Sequence, residues 1–143
     1  MKTLVREDGI RAMREFFLVS REVKKIPRKG VIVFVDDDPA AIEYITELLG
    51  EKASLVSFHT LKEAKDGILQ IGFDEILSIV LDYYLPDGTG VELAEWLDEQ
   101  HPGIPMFLVS SDDDRVMEFA KMSPNLTPVK KWDVEELEEA LGI

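Results

Sequence analysis

The sequence predicts an α/β fold, a doubly wound five-stranded parallel sheet with helices on both faces. Short apolar runs rich in β-branched residues alternate with helical segments from residue 31 onward. The central run, Ile76–Leu81, is apolar at nearly every position, which is typical of a strand covered on both faces. Five strands separated by helices require right-handed crossovers, and these crossovers make the sheet parallel.

Each element has a local signature. The predicted strands lie at Val31–Val35, Leu55–Phe58, Ile76–Leu81, Pro105–Val109 and Leu126–Lys130. Asp38 followed by Pro39 predicts an N-cap with proline at the first helical position, and Thr60 to Glu63 is a capping box. The predicted helices cover about residues 38–50, 60–72, 91–99 and 113–122, with a last helix of two turns that begins at Asp133.

Composition limits the class of protein. The chain has 143 residues, 45% of them hydrophobic, which suits one domain with a single core. It has no cysteine, so disulfides and thiolate metal sites are excluded and a cytoplasmic location is predicted. No apolar run approaches the roughly 20 residues that span a bilayer. The net charge of −13 argues against nucleic-acid binding, because phosphate contacts need lysine and arginine.

The charge is divided unevenly along the chain. Residues 1–29 contain nine lysines and arginines and four acids, a balance of +5, which leaves −18 for residues 30–143. Pro27 and Gly30 stand at the point of change and interrupt any helix. We therefore predict two parts: a basic amphipathic helical extension at 1–29 and a compact acidic domain at 30–143.

The extension carries an apolar seam at helical spacing. It consists of Ala12, Phe16, Val19, Val23 and Ile26. This pattern predicts a helix from about Gly9 to Lys25 whose apolar face needs a partner. We expect it to dock on the domain, on the thinly covered side near residues 113–143. If two chains exchanged this helix, they would form a homodimer. Pairing of two chains through the 113–143 face would also give a homodimer.

Polar residues follow the predicted strands at their carboxyl ends, where open α/β sheets bind ligands. Asp36 and Asp37 end the first strand, Asp82 the third, Ser110 the fourth and Lys130 the fifth. Carboxylates gathered in one crevice repel one another unless a cation shares the site. Oxygen ligands without histidine or cysteine favour Mg²⁺. A hydroxyl and an ammonium group would complete a cradle for a phosphoryl oxygen, so phosphoryl transfer to an aspartate is the predicted chemistry.

These motifs resemble the receiver domain of two-component response regulators. The resemblance rests on Val35–Pro39, Leu81–Gly90, Val109–Ser111 and Val129–Lys130 and covers about residues 30–143. It implies a CheY-like fold with strand order 2-1-3-4-5.

The resemblance also implies the role of each site residue. Asp82 is the phosphoacceptor, while Asp36, Asp37, Asp82 and the Tyr84 carbonyl hold Mg²⁺. Ser110 and Lys130 contact the phosphoryl group. The implied partners are a sensor histidine kinase or phosphotransfer protein and a downstream protein. No turnover of an external substrate is implied, only phosphoryl transfer to Asp82 and its hydrolysis.

The chain departs from the family pattern near its last strand. Thr127 stands where an aromatic switch residue is usual, and Lys131 where a proline follows the lysine. Pro128 lies inside the predicted fifth strand, which is tolerable only at a sheet edge. These departures keep a second hypothesis open, a receiver-like interaction module that is never phosphorylated.

Other classes fit less well. Gly88 and Gly90 supply half of a dinucleotide fingerprint, but Leu93 occupies the third glycine position, and the chain has no phosphate-binding loop ending in Gly-Lys-Ser/Thr. About 30 residues outside the domain are too few for a typical DNA-binding output domain, so no direct contact with nucleic acid is expected.

Overall fold

The computed structural model describes residues 30–110, 118, 125–130 and 133–143, and of Ser110 only the backbone. The strands are β1 (Val31–Val35), β2 (Leu55–Phe58), β3 (Ile76–Asp82), β4 (Tyr84–Leu85), β5 (Gly88–Thr89), β6 (Met106–Ser110) and β7 (Leu126–Lys130). The helices are α1 (Pro39–Leu49), α2 (Leu61–Ile71), α3 (Gly90–Gln100) and α4 (Val134–Leu141). A short 3₁₀ helix at Phe73–Glu75 precedes β3.

Five strands form one parallel sheet in the order β2-β1-β3-β6-β7. Counted along the chain, these five strands have the predicted order 2-1-3-4-5, so the predicted fold is confirmed. Strand β7 pairs only with β6 and is therefore an edge. Pro128 lies in this edge strand, which tolerates a residue without an amide hydrogen.

The sheet separates two apolar layers. Val33 and Val35 of β1 point into a cluster with α2 and α3, while Ile32 and Phe34 point into a cluster with α1 and α4. Side chains of successive strand residues point to opposite faces, so β1 is buried on both sides. The near-continuous apolar runs seen in the sequence follow from this double burial.

Three predicted helix starts are confirmed, at Asp38, Thr60 and Asp133. Asp38 accepts a hydrogen bond from the Ala40 amide, and Thr60 accepts one from the Glu63 amide. The Glu63 carboxylate accepts from the amide of His59, one residue before the cap, so the box closes one position earlier than the usual pattern. Asp133 caps α4 in the same way, by accepting from the Glu136 amide.

Some predictions differ from the structure or lie outside the described residues. Pro86, Asp87 and Gly88 predict a tight turn after β3, and the structure has a two-stranded antiparallel ladder there, with Tyr84 opposite Thr89. The predicted helices at Gly9–Lys25 and 113–122 lie outside the described residues, apart from residue 118, which is helical. In the part of the chain that the structure describes, every helix is too short or too polar to cross a bilayer.

Candidate metal centre at the carboxyl edge of the sheet

Three carboxylates meet where β1 and β3 end. Each of Asp36, Asp37 and Asp82 offers an oxygen, and these oxygens lie within 4.8 Å of one another. Asp82 is the last residue of β3 and Asp36 directly follows β1, and the two strands are neighbours in the sheet. Asp36 and Asp82 are half-buried, whereas Asp37 is exposed. The cluster is therefore accessible from solvent on one side.

The backbone after β1 turns sharply to begin α1. The Asp36 carboxylate accepts a hydrogen bond from the Asp38 amide at 2.9 Å, and the Asp38 carboxylate accepts from the Ala40 amide at 3.0 Å. Asp36 thus holds the turn that leads into α1. Asp38 caps the helix and is absent from the cluster, as the sequence predicted.

Lys130 shares a crevice with two of the carboxylates. An open cavity of about 30 Å³ has Asp36, Asp82, Lys130 and Asp133 in its lining. Lys130 is exposed at the end of β7, and its amide donates to the Glu136 carboxylate at 3.1 Å. Strands β3 and β7 are separated by β6, so only the parallel sheet brings this lysine to the same edge as Asp82.

For Ser110 and Tyr84, the feature that bears on the site is the position of the backbone. Ser110 lies opposite Lys130 in the β6–β7 register, one residue beyond Val109, which lies opposite Asp82. The Tyr84 ring packs edge-on against Tyr83 at 4.6 Å and is 60% exposed. Its ring therefore lies at the surface, and its backbone carbonyl is the group that the sequence analysis assigned to a metal.

Gly90 permits close approach of α3 to the phosphoacceptor candidate. A Cβ atom at this position would lie 2.4 Å from the Asp82 carbonyl oxygen and 3.2 Å from Leu108 Cδ1. The Gly90 amide donates to the Tyr83 carbonyl at 2.7 Å. In the sequence this glycine is only part of a half dinucleotide fingerprint, and the contact that requires it is visible only in three dimensions.

Asp87 anchors the loop that follows β3, a role that the sequence did not predict. Its two carboxylate oxygens accept hydrogen bonds from the Leu61 amide at 2.7 Å and the Lys62 amide at 3.0 Å. These bonds hold the pKa of the Asp87 carboxyl below its ordinary value. They tie the loop after β3 to the first turn of α2, where unpaired amides and the helix dipole favour a carboxylate. The sequence signal, Pro86-Asp87-Gly88, indicated only a turn.

The donor set fits a small, hard divalent cation. Carboxylate oxygens are the ligands that Mg²⁺ prefers, with water filling the remaining positions. Two oxygens on opposite sides of Mg²⁺ are about 4.2 Å apart at ordinary coordination distances. The three carboxylate oxygens lie within 4.8 Å of one another, a limit close to this separation.

Residues 32–142 match the family described as the response regulator receiver domain. The chain belongs to this family. Receiver domains bind Mg²⁺ at an acidic pocket, and the structure of this receiver has an acidic cluster of Asp36, Asp37 and Asp82. Receivers are modules of two-component signalling that interact with histidine kinases and downstream effectors, and the family generally does not act on external substrates.

A curated relative supports this assignment. The response regulator protein PilR of Pseudomonas aeruginosa is 31% identical to this receiver over 80 residues, which are 55% of the chain. The match covers 17% of the length of PilR. Activities of the whole relative therefore do not transfer to this chain.

Solved structures agree on the fold. A CheY-like receiver domain from Methanospirillum hungatei is 22% identical, with a TM-score of 0.69, and the match covers 80% of this receiver and 95% of that chain. A receiver domain of an HD domain-containing protein from Pseudomonas fluorescens is 23% identical, with a TM-score of 0.71, covering 80% and 93%. DrrB of Thermotoga maritima has a TM-score of 0.62 at 23% identity, covering 80% and 50%.

Proposed function

We propose that this receiver accepts a phosphoryl group on Asp82 and passes the signal to a protein partner by a change of conformation. The donor is a phosphohistidine on a sensor histidine kinase or phosphotransfer protein. The observation that carries the proposal is the convergence of Asp36, Asp37 and Asp82 within 4.8 Å, with Lys130 in the same crevice.

The reaction requires a nucleophile at a reachable position. An oxygen of Asp82 attacks phosphorus, an O–P bond forms, and the P–N bond to the donor imidazole breaks with its electron pair leaving on nitrogen. A proton from solvent completes the neutral imidazole. The product is an acyl phosphate on Asp82, and we expect water to hydrolyse it at the same edge of the sheet. Because Asp82 is half-buried at the end of a strand, its carboxylate is held in place and still reached from one side.

Charge must be balanced as the group is transferred. Mg²⁺, when bound, would offset part of the negative charge of the phosphoryl oxygens and the three carboxylates. Asp36, Asp37, Asp82 and the Tyr84 carbonyl would hold it. Lys130 supplies a positive charge to one phosphoryl oxygen, and the Ser110 hydroxyl donates to another. The register that puts Ser110 opposite Lys130 supports this pairing.

Intact-mass spectrometry with a small phosphodonor tests the proposal. With acetyl phosphate and Mg²⁺, we expect the wild-type chain to gain one phosphoryl group, and removal of Mg²⁺ by a chelator to suppress the gain. Asp82→Asn should abolish labelling, while Asp74→Asn, at an exposed position, should label like the wild type. Labelling of Asp82→Asn at the wild-type rate would overturn the assignment.

A second function is favoured by Thr127, which is exposed in β7 where the family usually has an aromatic residue. A receiver-like module that docks without phosphorylation needs neither this aromatic residue nor a competent acceptor. If the wild-type chain takes no label from acetyl phosphate under any Mg²⁺ concentration, this second function replaces the first.

A further inference from the structure

The crevice that Asp36, Asp82 and Lys130 line continues between α1 and α4 as an apolar groove. Its floor consists of apolar side chains from the sheet and both helices: Phe34, Ala41, Ile45, Val80, Val134 and Leu137. Ala41 and Ile45 come from α1, and Val134 and Leu137 come from α4. The two helices therefore flank the groove along its length.

The rim of this groove is apolar on the α1 side. Tyr44 is 44% and Leu48 40% exposed. Leu48 follows Ala41 by seven residues and Tyr44 follows it by three, so helical spacing puts all three on one flank of α1. Because Ala41 lines the groove, the exposed pair borders it. Ile143, just beyond α4, is 37% exposed.

The helices beside the groove are strongly acidic. Their acids are Glu43, Glu47, Glu135, Glu136, Glu138 and Glu139, and Glu51 follows α1. Among the described residues of these two helices there is no lysine or arginine, and Lys52, which follows α1, forms a salt bridge with Glu138. An apolar strip with acidic borders fits an amphipathic segment that carries positive charge.

The chain itself carries such a segment. This segment leads into β1, next to the carboxyl-terminal ends of α1 and α4. Residues 1–29 have a balance of +5 and the apolar seam from Ala12 to Ile26. The described chain begins at Gly30, next to β1, where a Cβ would lie 2.9 Å from the Glu75 carbonyl oxygen. Ile32, at the start of β1, packs in the same cluster as Leu49 and Leu141, the last residues of α1 and α4. The chain therefore enters the sheet between the ends of the two groove helices.

We propose that residues 9–26 of the same chain dock as a helix in the groove between α1 and α4. A helix of this length would be about 27 Å long, against about 16 Å for α1, so it can cover the whole groove. Residues 27–29 with Gly30, whose φ is +136°, allow the chain to reverse into β1. This location replaces the wider 113–143 face that the sequence suggested, because α1 contributes the exposed apolar rim. Because the groove opens into the crevice of Asp36, Asp82 and Lys130, the docked helix lies beside the proposed phosphoacceptor site, but the contact itself does not require phosphorylation of Asp82.

Cysteine pairs in the full chain test the contact, since the natural chain has no cysteine. Cysteine replaces Phe16, Val19 or Val23 in turn, each combined with Leu48→Cys. The matched control is Leu69→Cys, because Leu69 is 55% exposed on α2, across the sheet from α1. Under mild oxidation we expect at least one Leu48 pair to form a disulfide within a monomer, much faster than any Leu69 pair.

The same experiment contains the outcomes that overturn the proposal. Disulfides that appear only between two chains on a non-reducing gel would assign the groove to a second copy. Equally fast disulfide formation in the Leu48 and Leu69 pairs would show a segment without a fixed location. A partner protein as the normal occupant would leave both pairs slow.

Hydrogen exchange gives an independent measurement that needs no cysteine. Phe16→Asp in the full chain should increase amide exchange in residues 40–50 and 134–143 and leave residues 61–71 unchanged. Added salt should weaken protection in the same two helices, because charge attraction contributes to docking. Unchanged exchange in both helices would contradict the proposed contact.

Discussion

Asp87 controls how the loop after β3 sits on the rest of the domain. Its bonds to the Leu61 and Lys62 amides span about 25 residues of sequence. Asp87→Ala removes both acceptors and leaves two amides of α2 without them. We expect a lower melting temperature for Asp87→Ala at neutral pH and weaker Mg²⁺ binding, because the loop also carries Tyr84. Glu99→Ala, at an exposed position of α3, is the control and should change neither value.

The contribution of Asp87 should depend on pH in a defined direction. Its pKa in the folded protein is lowered from an ordinary value of about 3.9. A lowered pKa means that the stabilisation is complete above the ordinary value and is lost as pH falls through the folded one. Thermal melts of wild type and Asp87→Ala should therefore differ by a constant amount above about pH 5 and converge in stronger acid. A difference that persists unchanged below both pKa values would contradict the carboxylate role.

The direction in which Gly90→Ala changes the stability of the fold tests how tightly α3 approaches β3. In an ordinary helix, glycine to alanine stabilises by up to about 1 kcal/mol. Here the new Cβ would lie 2.4 Å from the Asp82 carbonyl oxygen, so the backbone of β3 or α3 must shift. We expect Gly90→Ala to destabilise the fold by about 1–3 kcal/mol in denaturant titration and to slow labelling of Asp82. A stabilising effect would show that the approach is not tight.

At the scale of elements, α4 depends on one buried side chain. Leu137 is 4% exposed and is the buried residue of this two-turn helix. Leu137→Ala should lower the free energy of unfolding by about 2–5 kcal/mol. Leu141→Ala, which truncates a half-buried side chain, should cost clearly less. Equal losses in urea titrations would mean that α4 is held by something other than the Leu137 contact.

For the whole molecule, Mg²⁺ binding and folding should be linked. A ligand that binds only the folded state stabilises it by about 1.4 kcal/mol at ten times its dissociation constant. We expect Mg²⁺ to raise the melting temperature of the wild type more than KCl of equal ionic strength does. Asp37→Ala should lose most of this extra rise, while Asp74→Ala should keep it. An identical Mg²⁺ response in Asp37→Ala and wild type would remove Asp37 from the metal site.

The resemblance to receiver domains implied the strand order, while the residues themselves determined the helix caps and the set of strand-end residues. These follow from local rules: apolar runs mark buried strands, and Asp38 and Thr60 satisfy amides only a few residues away. The convergence of Asp36, Asp37 and Asp82 was predictable as well, because the carboxyl ends of parallel strands meet at one edge.

Only the tertiary structure decided the contacts between distant segments. Asp87 reaches α2, Gly90 touches the Asp82 carbonyl, and Ala41 lines a groove with Leu137. Each contact depends on distances set by the packing of whole elements, and a residue pattern records only spacing along the chain. A turn motif therefore predicts a turn at Asp87 without naming the helix that the carboxylate binds.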